Sequence, residues 1–149
     1  MRRKILIITT GGTISMKHNS PFGVIPNDEF AAHLKEFPQL AKIAIIDVYE
    51  HSNIPSPFMT PQKMVSLANL VDEKISNYDG VVITHGTDTL EETAYMLDLI
   101  LQTRKPIVFT AAMRSGSELG LDGPRNIVGA VRVAGSSKAA NRGVLVVMN

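Results

Sequence analysis

The chain has 149 residues, the usual size of one domain and enough to bury a hydrophobic core. Its hydrophobic content of 44% is typical of a globular protein, and its formal net charge of +1 gives no strong attraction to nucleic acid or anionic membranes. The absence of cysteine excludes disulfides, thiolate metal sites and cysteine nucleophiles.

The amino terminus, Met1–Lys4, is basic like the start of a signal peptide. The apolar run behind it, Ile5–Ile8, is too short to direct secretion. No other run approaches the roughly 18 apolar residues that a membrane-spanning helix needs. We therefore expect a cytoplasmic protein with no membrane and no nucleic-acid partner.

Five apolar runs lack strict alternation with polar residues, which predicts strands buried on both faces of a sheet. In chain order these runs are Lys4–Thr10, Ala41–Tyr49, Val81–Thr84, Pro106–Thr110 and Gly143–Met148. The stretch Ser15–Pro26, between the first two runs, has little apolar content. It predicts a mobile surface loop beside the first turn.

Helical patterns lie between the predicted strands. The first pattern is a short helix that is capped by Asn27 or Asp28 and reaches Phe37. The second is opened by the pair Thr60-Pro61, which is a typical cap followed by a first-turn proline. Its apolar face is predicted to consist of Met64, Leu67, Ala68, Val71 and Ile75.

A third helix is predicted from about Leu90 to Leu101, and Asp122-Gly-Pro124 opens a fourth. The residues predicted to face inward on the fourth are Val128, Val131 and Ala134. Strands and helices alternate four times and end on a strand, which predicts an α/β fold: one parallel sheet of about five strands with helices on both faces. Right-handed crossovers favour a flavodoxin-like or Rossmann-like strand order.

The carboxyl ends of the predicted strands are the candidate functional region, because ligands of open α/β sheets bind there. The segments at these ends are Thr10–Thr13, Ser52–Phe58, Thr84–Thr89 and Ala111–Ser117. They predict a pocket rich in hydroxyl groups with one carboxylate, Asp88. The hydroxyl-bearing residues are Thr9, Thr10, Thr13, Ser56, Thr84, Thr87 and Thr89.

The chemistry of this pocket suits a small zwitterion such as an amino acid. A threonine hydroxyl is a weak nucleophile until a base removes its proton, so Thr13 or Thr87 would need an activating partner. Backbone amides at the turns could hold a developing oxyanion, and the starts of helices favour a carboxylate. Asp88 could pair with an ammonium group.

Simpler explanations exist for the same residues. Glycine at a strand–helix turn usually serves tight geometry, and threonine there often caps the helix. His85 is more simply a hydrogen-bonded packing residue. With Asp88 and Glu91 it could suggest a metal site, but no ligand spacing favours one. The Gly11-Gly12 turn lacks the glycine patterns of nucleotide-binding loops.

Two of the turns carry a more specific pattern. Thr10-Gly-Gly-Thr-Ile14 and His85-Gly-Thr-Asp-Thr89 resemble the two signature segments of the bacterial-type L-asparaginases and glutaminase-asparaginases. Three further segments are similar to that family in the same order, namely Ala112–Arg114, Asp122–Asn126 and Asn141–Asn149. The resemblance implies that residues 1–149 form the family's amino-terminal domain, which a smaller carboxyl-terminal domain follows. It also implies that the full-length protein is a homodimer or homotetramer.

The resemblance implies roles for four residues. Thr13 is similar to the nucleophile that attacks the side-chain amide of L-asparagine, or of L-glutamine, and forms an acyl-enzyme. Thr87 and Asp88 resemble the second threonine and its acidic partner in a Thr–Lys–Asp arrangement, and Asp88 would also hold the α-ammonium. Ser56 matches the serine that contacts the α-carboxylate. Water then releases aspartate after ammonia has left, and no metal or organic cofactor is implied.

The sequence departs from the family pattern at three places. No tyrosine occurs in Ser15–Asp47, where the family's lid supplies one that assists the nucleophile. Pro57-Phe58 follows Ser56 where several members place a polar pair. The family's catalytic lysine comes after the strand that ends this sequence, so we expect the chain by itself to be folded but essentially inactive.

Two other functions stay open. An asparaginase-like subunit of a tRNA-dependent amidotransferase would share these motifs, although such a subunit normally carries an extra amino-terminal segment. A non-catalytic module could use the same pocket to bind an amino acid. Titration with aspartate, together with an assay of ammonia release, would separate binding from catalysis.

Overall fold

The computed structural model describes residues 2–19, 23–26, 29–115 and 118–148. Its strands in chain order are β1 (Arg3–Thr9), β2 (Met16–Asn19), β3 (Gly23–Pro26), β4 (Ala44–Glu50), β5 (Gly80–Thr84), β6 (Ile107–Thr110) and β7 (Val144–Val146). The α-helices of this part of the chain are α1 (Phe30–Glu36), α2 (Pro38–Ile43), α3 (Pro61–Ile75), α4 (Leu90–Ile100) and α5 (Gly123–Ala134).

Five strands form one parallel sheet in the order β4-β1-β5-β6-β7. Numbered along the chain, this is the order 2-1-3-4-5 of flavodoxin-like folds. The predicted parallel sheet is therefore confirmed, and of the two predicted strand orders the flavodoxin-like one is found. The chain places β4 on one side of β1 and β5 on the other, and ligands bind at such a reversal, next to the turns that follow the strands.

Helices cover both faces of the sheet, as predicted. One hydrophobic cluster packs α3 and α4 against Leu6 and Ile8 of β1, and the other packs α1, α2 and α5 against Ile5 and Ile7. The alternation follows from the strand itself, because successive side chains point to opposite faces. Each face of β1 is thus fully covered, which explains its continuous apolar sequence.

The inward faces predicted for two helices agree with the structure. On α3 all the predicted residues are buried, and the side chain of Thr60 accepts a hydrogen bond from Lys63 N as a cap. On α5 the side chains of Val131 and Ala134 are buried, whereas Val128 is partly buried against the same cluster.

One crossover departs from the right-handed rule. The steps from β5 to β6 and from β6 to β7 run in the same direction across the sheet, yet α4 and α5 lie on opposite faces. The crossover through α5 therefore has the opposite hand to the other three, and the expectation of right-handed connections throughout is wrong. As a result, the start of α5 packs against the turn that follows β1. The contact is close at Gly123, where a Cβ would lie 3.2 Å from Cγ1 of Ile14.

The stretch predicted as a surface loop contains a β-hairpin. Strands β2 and β3 pair antiparallel, with Met16 opposite Pro26 and Asn19 opposite Gly23. The loop prediction is wrong for these strands because it relied on low apolar content. Two short extended segments around turn-forming residues are instead typical of a hairpin, whose backbone pairing needs no apolar face. Residues 20–22 lie outside the described part of the chain.

The first predicted helix, which reaches Phe37, corresponds to α1, and a further helix that was not predicted, α2, follows it. Phe37 is extended, with φ −71° and ψ 106°, and separates α1 from α2. A residue before proline is driven out of the helical region, and proline is favoured at the start of a helix, so Pro38 begins α2. The predicted second strand therefore starts at Ala44 rather than Ala41. The predicted caps Asn27 and Asp28 lie outside the described residues.

In the described ranges, no helix combines the length and the apolar character needed to cross a bilayer.

Candidate active site

Three neighbouring turns occupy the carboxyl edge of the sheet. The first turn (residues 10–15) follows β1, the second turn (residues 51–59) follows β4, and the third turn (residues 85–89) follows β5. Because β4 and β5 both pair with β1, the first turn lies between the other two. This edge carries all the residues predicted for the site, namely Thr13, Ser56, Thr87 and Asp88.

Glycines bring the backbones of the three turns into contact. Gly11 and Gly12 have φ angles of +111° and +84°, which glycine adopts without strain. A Cβ on Gly12 would lie 2.5 Å from Cα of Gly86, and a Cβ on Gly11 would overlap the backbone of Ile54. The first turn can therefore touch both neighbours only because it carries no side chain at these two positions.

Buried hydrogen bonds of Thr10 join the same turns. Thr10 Oγ1 and Thr10 N donate to Thr84 O, at 2.8 and 3.2 Å. On the other side, Ile54 N and Ser52 Oγ donate to Thr10 O, at 3.0 and 3.1 Å. Thr9, Thr10 and Thr84 are at most 3% exposed, and that they line a pocket stays a prediction. They lie at the ends of β1 and β5 or directly after them, next to the turns.

Thr13 is the more accessible residue of the first turn. It starts a short 3-10 helix directly after Gly12, and the next two residues, Ile14 and Ser15, are buried. Ser15 Oγ donates to Gly12 O at 2.9 Å, which holds this helix against the turn. Thr13 itself is only partly buried, and since Gly12 touches Gly86, it lies beside the start of the third turn.

Ser56 and Asp88 form a hydrogen-bonded pair across the second and third turns. Ser56 Oγ donates to Asp88 Oδ2 at 3.0 Å, and Asp88 N donates to Ser56 Oγ at 3.2 Å. Thr89 Oγ1 donates to Ser56 O at 2.9 Å. Ser56 is 3% exposed whereas Asp88 is exposed, so a buried hydroxyl holds a carboxylate that stays open to solvent.

The charge around Asp88 is negative. Glu91 and Glu92 follow it in the first turn of α4, and both are exposed. The positive end of a helix partly offsets carboxylates at its start, so they are tolerated together. Three acidic side chains, Asp88, Glu91 and Glu92, thus lie at the start of α4.

His85 is packed in the core below the third turn. It is fully buried, its Nδ1 lies 2.8 Å from Gly86 O, and its ring centroid lies 5.8 Å from that of Phe109. A carbonyl can only accept, so Nδ1 carries the hydrogen, and Nε2 has no hydrogen-bond partner among the described residues. Burial lowers the pKa of His85, although the Gly86 carbonyl and the charge of Glu92 oppose that shift. Among the described residues no group of three or more His, Asp or Glu side chains is arranged to hold a metal ion.

The fourth predicted segment, after β6, is tied to the start of α5. Met113 N and Arg114 N each donate to the Asp122 carboxylate at 3.0 Å. Asn126 Nδ2 donates to Ala111 O at 2.9 Å. The backbone amides of Met113 and Arg114 are therefore used within their own loop, while residues 116 and 117 lie outside the described chain.

Two features of the site escaped sequence reasoning. Thr89 was expected to line the pocket, whereas its hydroxyl joins two turns. Gly86 was not singled out, although a Cβ there would lie 2.5 Å from Ser56 Oγ and would push the second and third turns apart. The only local signal was a glycine inside a run of polar turn residues, which does not reveal what it touches.

Comparison with known proteins supplies the family. A family model described as Asparaginase, N-terminal, matches residues 4–149. The chain is 38% identical over 157 residues to a glutaminase-asparaginase of Acinetobacter glutaminasificans, covering 99% of this chain and 46% of that protein. It is 41% identical over 151 residues to L-asparaginase 2 of Escherichia coli K12, covering 97% of this chain and 42% of that protein.

The fold matches solved structures of similar sequence. A crystal structure of a probable cytoplasmic L-asparaginase from Campylobacter jejuni superposes with a TM-score of 0.87 at 36% identity. The match covers 99% of this chain and 45% of that one. The chain thus spans about half the length of the relatives that it matches.

Proposed function

Because the chain belongs to the asparaginase family, whose amino-terminal domain it matches, we propose that it binds L-asparagine, or L-glutamine, and supplies the nucleophile for hydrolysis of the side-chain amide. The observation that carries the proposal is the meeting of three turns. The first and third turns touch at Gly12 and Gly86, while Ser56 and Asp88 join the second to the third. A small amino acid bound there would contact groups from all three.

Substrate binding rests on the Ser56–Asp88 pair. An ionised carboxylate accepts about four hydrogen bonds, so Asp88 has capacity beyond its bond to Ser56 for the α-ammonium. The negative charge at the start of α4 adds to that attraction. Ser56 contacts the α-carboxylate by turning its single hydroxyl hydrogen from Asp88 to that group, next to the backbone amides of the third turn. Recognition of both charged groups fits a free amino acid better than a peptide.

The proposed chemistry uses Thr13 as nucleophile. Thr13 Oγ1 attacks the amide carbonyl carbon, and backbone amides of the turns stabilise the oxyanion. A base takes the hydroxyl proton and returns it to the departing nitrogen as the C–N bond breaks, which releases ammonia and leaves an ester on Thr13. Water then hydrolyses the ester to aspartate or glutamate. Thr87 and Asp88 act as the second threonine and its acidic partner.

Activation of Thr13 is the step that this chain supports least. Among the described residues no hydrogen bond joins the Thr13 hydroxyl to a basic group. The nearby His85 is buried, and its Nδ1 donates to Gly86 O. We therefore expect the chain by itself to release ammonia slowly. The proposal extends to a full-length homodimer or homotetramer in the cytoplasm, without a metal or organic cofactor.

The test measures binding and turnover separately. L-Aspartate is titrated into the purified chain by NMR, and ammonia release from L-asparagine and L-glutamine is assayed beside Thr13→Ala. We expect millimolar binding and ammonia release close to that of Thr13→Ala. Turnover well above that control would contradict the inactivity of the chain while supporting Thr13 as nucleophile. A folded chain that binds neither aspartate nor glutamate would contradict the proposed site.

The alternatives give different results in the same assays. A non-catalytic module would bind the amino acid but release no ammonia. Thr13→Ala would then leave the result of the ammonia assay unchanged, even in a full-length parent. A subunit of a tRNA-dependent amidotransferase would release ammonia only together with its partner. In a full-length parent that is an amidohydrolase, Thr13→Ala abolishes turnover while leaving the fold intact, because little core volume is removed.

A further inference from the structure

Thr89 makes a contact that the proposed chemistry does not use. Its Oγ1 donates to Ser56 O at 2.9 Å, from the third turn to the second. The side chain of the same serine bonds to Asp88, through Oδ2 and through the backbone N–H. Ser56 is thus held at its main chain by Thr89 and at its hydroxyl by Asp88.

The position of Thr89 makes this contact informative. Thr89 is the N-cap residue of α4, where a threonine side chain usually accepts a hydrogen bond from the first turn of the helix. No such capping bond is formed at this helix. The hydroxyl is directed to Ser56 instead, so a residue type that favours helix starts is used to join two turns.

We propose that Thr89 is a positioning residue for the amino-acid site, an inference that rests on the proposed function. Its hydroxyl fixes the main chain of Ser56, so that Ser56 Oγ stays within reach of the Asp88 carboxylate. The substrate's α-carboxylate and α-ammonium then meet Ser56 and Asp88 at a set separation. Thr89 itself touches neither group.

The second turn is bonded to the first turn through Ile54 and Ser52, and Ser56 bonds it to the third turn. Ser56 starts a three-residue 3-10 helix that lies between Pro55 and Met59 and has no side-chain cap. Short 3-10 helices have poor hydrogen-bond geometry, and Pro57 has no N–H to donate. Met59 N donates to Ser56 O at 2.9 Å, which closes this helix but does not tie it to the third turn. The tie therefore depends on Thr89 and Asp88.

The same Met59 bond sets the size of the expected effect. Because Ser56 O keeps one donor when Thr89 is replaced, the carbonyl is not left unsatisfied. The loss is that of one ordinary hydrogen bond, which corresponds to about a fivefold change in an equilibrium constant. We therefore expect a change in ligand affinity and local protection rather than unfolding.

The experiment uses the 149-residue chain and three variants. Thr89→Val removes the hydroxyl at nearly constant shape, and Thr89→Ser keeps it. Thr93→Val is the matched control, because Thr93 Oγ1 donates to Thr89 O at 2.9 Å within the same helix start but does not reach the second turn. The readouts are the hydrogen-exchange rate of the Asp88 amide and the affinity for L-aspartate, both by NMR.

We expect Thr89→Val to exchange the Asp88 amide about fivefold faster and to bind L-aspartate about fivefold more weakly. Thr89→Ser should restore both quantities, and Thr93→Val should leave both close to wild type. Unchanged exchange in Thr89→Val, or an equal loss in Thr93→Val, would overturn the positioning role alone. Failure of the wild-type chain to bind L-aspartate would overturn the proposed function and with it the site that Thr89 serves.

Discussion

Two aspartates at the carboxyl edge of the sheet are used in different ways. Asp122 precedes α5 and accepts hydrogen bonds from Met113 N and Arg114 N, at 3.0 Å each, and from Asn126 Nδ2 at 3.2 Å. Asp88 precedes α4 and accepts its side-chain hydrogen bond from Ser56, which belongs to another turn and lies 32 residues away. The first carboxylate closes its own loop, whereas the second joins separate parts of the chain.

The difference separates a structural carboxylate from a candidate binding group. Burial acts to raise the pKa of Asp122, but hydrogen bonds from two backbone amides outweigh it and hold that pKa below its usual range. Its bonding capacity is largely used inside the loop. Asp88 is exposed and lies where three turns meet. Among the described residues its side chain accepts a hydrogen bond only from Ser56, which is buried. Substitutions at the contact between the turns and at each of the two aspartates test whether their roles differ in this way.

The largest effect is expected where the turns touch. Gly12→Ala places a Cβ 2.5 Å from Cα of Gly86 and strains a residue whose φ is +84°. The overlapping atoms belong to the backbone of both turns, so relieving the overlap requires movement of the main chain. We therefore expect the free energy of unfolding to fall by about 3 kcal/mol or more. Urea denaturation measures it. The Asp88 turn would also shift away from Thr13, and L-aspartate binding would be lost.

Gly129→Ala is the control for this substitution. Gly129 lies inside α5, and its new Cβ would come no closer than 3.4 Å to Val147 Cγ1. A helical glycine replaced by alanine stabilises a protein by about 0.5–1 kcal/mol. Equal destabilisation by both substitutions would show that the contact between the turns carries no special cost.

The next effect concerns the structural carboxylate. Asp122→Ala removes the acceptor of two backbone amides in a partly exposed loop, and we expect a loss of about 1–2 kcal/mol in the free energy of unfolding. L-Aspartate affinity should stay near wild type, because the partners of Asp122 lie in its own loop. A loss of affinity as large as the loss of stability would join this loop to the site and remove the contrast with Asp88.

The sequence predicts the layers of this fold better than their connections. Apolar runs and turn residues are local signals, and they gave the parallel sheet, the helices on both faces and the apolar face of α3. Pro38 was also a local signal for the start of a helix, but the last residues of α2, from Ala41, were predicted as part of a strand. The hand of the crossover through α5 depends on which sheet face the helix covers, and no short segment encodes that choice.

The site shows the same difference between local signals and long-range contacts. Its segments could be found because the carboxyl ends of parallel strands share one edge. Its contacts could not, because the bond from Ser56 to Asp88 and the approach of Gly12 to Gly86 join residues far apart in sequence. Periodicity also does not tell a buried threonine such as Thr10 from an accessible one such as Thr13.

A pH effect is expected from His85, the buried neighbour of Asp88 in the third turn. Burial lowers the pKa of His85 below its usual 6.5, so the folded state favours the neutral ring. As the pH falls through 6.5, the unfolded chain takes up a proton that the folded chain does not. The free energy of unfolding then falls by up to about 1.4 kcal/mol per pH unit until the pH reaches the folded-state pKa.

Unfolding of wild type and of His85→Gln between pH 7 and pH 5 isolates this contribution. The pKa of His51 is also lowered by burial, but both proteins retain that residue, so the difference between their slopes belongs to His85. Equal slopes would contradict a buried neutral ring. If His85→Gln does not fold, the ring nitrogen shifts of wild-type His85 decide the point, since they should stay those of a neutral imidazole below pH 6.5.

The smallest change in stability, and the sharpest test of the contrast, is expected for Asp88→Asn. The amide keeps the shape of the side chain and an oxygen that can accept from Ser56 Oγ, but it removes the negative charge. Because Asp88 is exposed, the free energy of unfolding should change by less than about 0.5 kcal/mol. An ammonium group loses a charged partner, which corresponds to a loss of about tenfold or more in L-aspartate affinity. Asp122→Asn should show the reverse pattern, with lower stability and unchanged affinity, so the two variants measured side by side by denaturation and NMR titration separate the roles. If Asp88→Asn bound L-aspartate as well as wild type, the exposed carboxylate would not be the ammonium partner, and the site would have to be sought elsewhere on this edge of the sheet.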